Sequence, residues 1–248
     1  MKIIINGALG RMGAELCKLT ESGYHGIEAA AYVDVNYRTD AEKKQYSSLS
    51  EFDGECDCIV DFSHHAATDA LLDYAKKRGI PVVVATTGHT DAELAGIREA
   101  SDVIPVFHSG NMSVGIALLC KLARQAALAF PDANIEIIEK HHNRKLDVPS
   151  GTALMLGNAV KSARDNATLL VGRHENGKRT DEEIGIHSIR MGNVVGEHEV
   201  IIGTDTQIIT LKHEAQSRSL FAEGAIVAAE YLSAQSAGLY NMQTMLGE

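Results

Sequence analysis

Apolar positions in the first half of the chain fall in short unbroken runs, with helically spaced stretches between them. Residues 3–5 read as a buried strand, after which Met12, Leu16 and Leu19 recur at helical spacing. Residues 29–33 form the next strand, ending in Asp34. Residues 58–62 form a third, followed by a helix marked by Ala66, Leu71, Leu72 and Ala75. A strand at 80–85, a helix at 91–100 and a strand at 103–107 continue the alternation. Strands that are apolar throughout and separated by helices imply a parallel sheet covered on both faces. Right-handed crossovers then make it doubly wound.

The pattern changes after Asn111. Residues 114–130 form a long helix closed by Pro131, then comes a strand at 134–139, a polar segment, and a helix at 152–163. Residues 184–190, 198–202 and 206–212 are strand-like, with partial period-two alternation and glycine-rich turns. They suggest an open mixed or antiparallel sheet. An alanine-rich amphipathic helix at 219–233 suits packing back on the first domain. Residues 165–181, polar with two glycines, are expected to be the flexible stretch.

Composition narrows the function. The chain has 248 residues, 45% of them hydrophobic, enough for one large core or two modest ones. A net charge of −10 disfavours nucleic acid or an anionic membrane as partner, so any basic island is informative. No window approaches a membrane span, and the N-terminus reads as a strand without a signal region. The cytoplasm is the expected location. The four cysteines have no regular spacing and are expected to be reduced; Cys56-x-Cys58 without further ligands is a weak zinc signal, and no metal is expected.

Gly7-Ala8-Leu9-Gly10-Arg11-Met12-Gly13 lies between the first strand and the first helix. Glycine there permits the tight turn, the approach of a pyrophosphate, and close helix–strand packing. The helix N-terminus offers N–H groups and partial positive charge to phosphates. Asp34, about 20 residues on, is placed to accept from an adenosine ribose 2′-OH. Its carboxylate repels a 2′-phosphate, and Val35 offers no offsetting cation, although Arg38, Lys43 and Lys44 are near in sequence. The reading is NADH and/or NADPH, leaning to NADH or dual use. Ala85-Thr86-Thr87-Gly88 and Ser109-Gly110-Asn111-Met112 end later strands, where small residues leave room for ribose and nicotinamide.

Lys140-His141-His142-Asn143-Arg144-Lys145 is a basic island in an acidic chain. Asp147-Val-Pro149-Ser150-Gly151-Thr152 follows as a helix entry, capped by Ser150 or Thr152. A helix start rich in small residues binds anions. Histidine and lysine beside it suit acid–base chemistry on a carboxylate-bearing substrate. Solvated surface charge before a capped helix is the competing reading.

The segment from Glu139 through His141, His142, Lys145, Asp147, Pro149, Ser150, Gly151 and Thr152 to Ala153 resembles the signature of the dihydrodipicolinate reductases, now called 4-hydroxy-tetrahydrodipicolinate reductases, of the diaminopimelate route to lysine. Further similar stretches run in order along the chain: Gly7 to Gly13, Val60 to His64, Thr86-Thr87-Gly88, Asn111 to Gly115, Gly196 to Val200, and His213 to Arg218. The resemblance implies that His141 is the proton donor and Lys145 its partner and charge stabiliser. It implies that His142, Ser150, Gly151 and Thr152 hold the carboxylates of a small dicarboxylate. It also implies a Rossmann domain (1–113 and 218–248) and a substrate and oligomerisation domain with a mixed sheet (114–217) that builds a homotetramer. Departures include Val148 before the proline, His89 after Thr-Thr-Gly, Met112 after Asn111, and Val35 where some members carry arginine. Only the last touches cofactor choice.

Two other classes remain for comparison. A semialdehyde or diaminopimelate dehydrogenase shares the cofactor loop, but the former needs a nucleophilic cysteine, and Cys120 lies within a helix. A non-catalytic nucleotide sensor predicts loss of the proton donor and lysine, yet His141 and Lys145 are both present.

Overall fold

A computed structural model describes residues 1–247. The chain divides into two compact units, Met1–Ser113 with Arg218–Glu248, and Val114–Ser217. It begins with β1 (Lys2–Asn6), α1 (Arg11–Glu21), β2 (Glu28–Val33), β3 (Gln45–Tyr46), β4 (Cys58–Asp61), α2 (Thr68–Arg78), β5 (Val82–Val84), α3 (Asp91–Ser101) and β6 (Pro105–His108). The second unit holds α4 (Val114–Ala129), β7 (Asn134–His141), α5 (Gly151–Lys161), β8 (Thr168–Val171), β9 (Glu183–Arg190), β10 (Gly196–Gly203) and β11 (Ile208–Ala215). The chain then rejoins the first unit as α6 (Ser219–Leu232), β12 (Gly238–Tyr240) and α7 (Met242–Met245).

The first unit is a seven-stranded sheet in the order β3-β2-β1-β4-β5-β6-β12, and every adjacent pair is parallel. Ile3, Ile4, Ile5, Ile59, Val60, Val82, Val83, Val84 and Phe107 are all buried, because helices cover both faces. α2 and α3 supply Leu71, Leu72, Ala75, Ile97 and Ala100 to one core cluster. α1 packs against α6, which also contacts β4, β5 and β6. Small residues let α6 approach closely: a Cβ on Gly224 would stand 1.7 Å from the Met112 carbonyl oxygen. The strand order reverses between β1 and β4, and their carboxyl ends are where such sheets bind dinucleotides.

The second unit is a five-stranded sheet, β11-β10-β7-β9-β8. β10 runs antiparallel to β11 and β7, while β7, β9 and β8 are parallel. One face is apolar at one end, where Ile135, Ile137, Ile184, Ile186, Val200 and Ile202 pack against Leu119, Ala123 and Ala127 of α4 and Ala153, Leu156 and Val160 of α5.

Several elements differ from expectation. Within 165–181, expected to be flexible, Thr168–Val171 pairs with β9 as an edge strand, and Arg179 reaches the Glu136 carboxylate at 3.2 Å. Four β-forming residues were masked there by polar, glycine-bearing flanks. β7 runs two residues beyond its expected end, to His141, because both neighbouring strands continue to pair there. β3, β12 and α7 were not anticipated; at two to four residues each they are too short to show a period.

Candidate active site

The glycine loop is shaped by close backbone approach. Gly7 has φ +84°, and a Cβ there would lie 2.7 Å from the Phe62 carbonyl oxygen. A Cβ on Gly13 would lie 2.1 Å from the Gly7 carbonyl oxygen, so α1 starts directly against the loop. α1 has no side-chain cap at Gly10, which leaves its N-terminal dipole to a ligand. The loop is tied to β2, since Gly7 and Ala8 donate their N–H groups to the Val33 carbonyl at 2.8 and 3.0 Å. Leu9 N–H donates to Asp34 Oδ2 at 3.1 Å, and Asn36 donates twice to Oδ1 at 3.0 Å. Ala8 is buried, while Leu9, Gly10 and Arg11 are exposed and Met12 is half-buried. A glycine cradle that any Cβ would fill, an uncapped helix start and a fixed carboxylate fit a dinucleotide.

The other strand ends assemble around a residue whose chemistry sequence reading did not weigh. Asp61 is 1% exposed and accepts from Asn6 Nδ2 at 2.7 Å, Ser63 Oγ at 2.6 Å and Thr86 Oγ1 at 2.7 Å. One carboxylate thus joins the carboxyl ends of β1, β4 and β5. Ala85 is buried beside Thr86, and Thr87 is exposed. Ser109 and Asn111 form a self-bonded turn, with Ser109 Oγ donating to the Asn111 carbonyl at 2.8 Å and Asn111 Oδ1 accepting from Ser113 N–H at 2.8 Å. Gly110 is exposed, whereas Met112 is buried against α6. Near them His89 and His108 meet edge to face at 5.4 Å.

In the second unit, the alternation along β7 decides which groups face inward. Ile135, Ile137, Glu139 and His141 share the buried face; Glu136, Ile138 and Lys140 share the other. The sheet face therefore changes from apolar to polar at Glu139, which pairs in register with Ser188 of β9 and His198 of β10. The Glu139 side chain is fully buried. Its Oε2 lies 2.5 Å from His141 Nδ1, its two oxygens accept from the Arg190 guanidinium at 2.8 Å each, and Oε1 accepts from Ser150 N–H at 3.1 Å. Burial alone raises a carboxyl pKa. The hydrogen bonds from His141 and Arg190 outweigh it here and hold Glu139 well below the usual carboxylate range.

Ser150 caps α5: its Oγ accepts from Ala153 N–H at 3.2 Å and lies 3.3 Å from His198 Nε2. His198 stands edge to face with His141 at 5.1 Å. Burial first, then the nearby His141, pushes His198 down to about 4, so it is neutral at pH 7. Gly151 opens α5 with nothing within 4 Å of where a Cβ would stand, and Thr152 follows half-buried. Lys145 pairs with Asp147 at 2.9 Å in a turn closed by Lys145 N–H to the His142 carbonyl at 3.1 Å; His142 is half-buried.

Glu139 thus brings His141 and Ser150 together. The basic island, in contrast, does not act as one patch. Lys140 turns to the opposite sheet face and pairs with Glu197, and Arg144 donates to Asn193 Oδ1 at 2.6 Å. Arg190 and His198, given no role from the sequence, prove central. The period-two alternation that puts Glu139 and His141 on the core face was the available signal for Glu139. The four cysteines are free thiols; burial pushes Cys17 and Cys56 up to about 11, and Cys120 is buried in α4.

A dinucleotide cradle on a doubly wound sheet, with a histidine–carboxylate pair at a helix N-terminus in a second unit, defines a nicotinamide-dependent oxidoreductase. The family described as "Dihydrodipicolinate reductase, N-terminus" matches residues 1–112, and "Dihydrodipicolinate reductase, C-terminus" matches residues 115–246. The chain is 42% identical over 247 residues to the 4-hydroxy-tetrahydrodipicolinate reductase of Clostridium novyi (strain NT), covering 99% of this chain and 98% of that one. It is 43% identical over 248 residues to the enzyme of the same name from Caldanaerobacter subterraneus subsp. tengcongensis, again covering 99% and 98%. A solved dipicolinate-bound dihydrodipicolinate reductase from Paenisporosarcina sp. TG-14 superposes with a TM-score of 0.82 at 24% identity, covering 97% of each chain. This chain belongs to the dihydrodipicolinate reductase family.

Proposed function

We propose that the chain catalyses NAD(P)H-dependent reduction of 4-hydroxy-tetrahydrodipicolinate (dihydrodipicolinate) to tetrahydrodipicolinate in the diaminopimelate route to lysine, with His141 supplying the proton. The full-length identity to reductases of that name supports the reaction. The observation that carries the chemistry is His141 Nδ1 held 2.5 Å from the buried Glu139 carboxylate.

The 4-hydroxyl group leaves as water to give the conjugated imine, to which a bound nicotinamide would supply the hydride. His141, or a water it orients, protonates the adjacent carbon; the N–H bond at His141 breaks as the C–H bond forms, and solvent later restores the proton. Lys145 offsets charge that develops on the substrate. His142, Ser150, Gly151 and Thr152 hold its carboxylates at the N-terminus of α5, where the helix dipole favours anions. Gly7 to Gly13 would hold the cofactor's pyrophosphate and Asp34 its adenosine ribose. Ala85, Thr86, Thr87, Ser109, Gly110, Asn111 and Met112 would hold the nicotinamide end. The preferred cofactor is NADH or both forms, because Val35 brings no cation to Asp34.

The same reading assigns a homotetramer in the cytoplasm, with the second unit as assembly domain. Support comes from the other face of its sheet, where Lys140, Glu197, Glu199 and Lys212 form a charge lattice and the start of β11 presents the 71%-exposed Ile208. Sedimentation velocity tests it: a tetramer is expected, and a monomer at micromolar concentration contradicts it.

The enzymatic test generates the condensation product of pyruvate and aspartate semialdehyde in situ and follows NAD(P)H absorbance. Oxidation that depends on the purified protein is expected. None with either cofactor overturns the proposal.

A further inference from the structure

Glu139 lies deeper than any group the proposed reaction requires at the substrate. It is fully buried, yet it carries a charge and four hydrogen-bonding contacts: His141 Nδ1, two Arg190 nitrogens and Ser150 N–H. An unpaired buried carboxylate costs several kcal/mol, whereas this one is matched by a fork of two parallel N–H bonds from Arg190. Arg190 is itself anchored, since Nη2 also donates to the Asp147 carbonyl at 2.7 Å.

An ionised carboxylate only accepts hydrogen bonds, so the proton between the two groups belongs on His141 Nδ1. That assignment leaves Nε2 as the nitrogen that gains and loses a proton. Gly196 gives Nε2 its room, since a Cβ there would lie 3.2 Å from it. The guanidinium also discourages Glu139 from taking the Nδ1 proton, because protonating the carboxylate weakens both Arg190 bonds.

We propose that Glu139, fixed by Arg190, is a positioning residue for the reductase: it sets the ring orientation and tautomer of His141, so that Nε2 presents the proton. The inference rests on the reading of His141 as proton donor. A third group that orients an acid–base residue is a general device of enzyme sites. The other groups facing His141 do not supply it. His198 of β10 is a neighbouring imidazole, flanked in turn by His213 of β11 in register. Lys145 and Asp147 in the loop are paired with each other. Ser150 of α5 is uncharged.

Glu139→Gln keeps the shape and removes the charge, and its amide donates to Nδ1, favouring the wrong tautomer. In the coupled assay, kcat is expected to fall about 10²-fold with KM within about threefold. Glu139→Asp retains the charge and should bring kcat back toward wild type. A kcat unchanged in Glu139→Gln overturns the inference. If that result accompanies a slow His141→Gln, the proton-donor reading stands alone; an active His141→Gln removes that reading instead.

Should Glu139→Gln fail to fold, the wild-type protein answers directly. With ¹⁵N-histidine labelling, and His141 assigned by its absence in His141→Gln, the neutral His141 ring is expected to carry its proton on Nδ1. A neutral ring with its proton on Nε2 contradicts the proposal.

Discussion

The backbone N–H of Leu9 donates to the Asp34 carboxylate at 3.1 Å, which joins the glycine loop to the end of β2. With Asn36 on the other oxygen, Asp34 is fixed before any cofactor arrives. The nearest lysines are otherwise engaged, Lys43 with Asp40 at 3.0 Å and Lys44 with the Ala29 carbonyl at 2.9 Å. Val35 is 86% exposed, so a change there disturbs no packing. Val35→Arg is expected to raise the NADPH-to-NADH ratio of kcat/KM about tenfold, one contact of about 1.4 kcal/mol. Steady-state kinetics with both cofactors measure it; an unmoved ratio places the 2′ position elsewhere.

Gly13→Ala sets a methyl group 2.1 Å from the Gly7 carbonyl oxygen. Backbone cannot yield there as a side-chain tip can, so α1 must shift and the cradle opens. NADH affinity, read by fluorescence titration, should fall more than about tenfold, with about 1–3 kcal/mol lost in stability. Normal affinity argues against phosphate binding in this loop.

Asp61→Ala strands Asn6, Ser63 and Thr86, donors that now converge on one carboxylate. Unsatisfied buried groups cost about 1–3 kcal/mol each, so a loss of about 3 kcal/mol or more is expected in urea unfolding. A midpoint within error of wild type means that the three strand ends are held by other contacts.

Stability should also fall on acidification in two windows. His198 lies at about 4 against a normal 6.5, so the unfolded state binds the extra proton. Its stabilising contribution is full above pH 6.5 and declines down to about pH 4, by about 2 kcal/mol between pH 7 and 5. Glu139, held below its normal 4.5, adds a second loss that begins only below that value. His198→Asn should reduce the loss in the first window, to which His89, His108 and His213, lowered by burial, also contribute, and leave the second. A wild-type-like slope from pH 7 to 5 in that variant contradicts the assignment.

Much of this was legible along the chain, for physical reasons that differ by element. The strands of the first unit are apolar on both faces, and Gly7, Gly10 and Gly13 stand where backbone approach demands them, so sheet and cradle could be read locally. The segment from His141 to Thr152 could be located, but not its wiring. Glu139 meets Arg190 only because β7 and β9 pair in parallel register across 51 residues of sequence, and His198 arrives from β10. No local period encodes such partners. Lys140 shows the opposite failure: adjacency in sequence grouped it with His141, while strand alternation puts it on the other face.

The most direct measurement compares wild type with His141→Gln in the coupled assay, using NADH binding and thermal melting as controls. Substrate-dependent NAD(P)H oxidation is expected for the wild type, and a kcat lower by about 10²-fold or more for the variant, with cofactor affinity and melting unchanged. Turnover by His141→Gln at the wild-type rate contradicts the proton-donor reading.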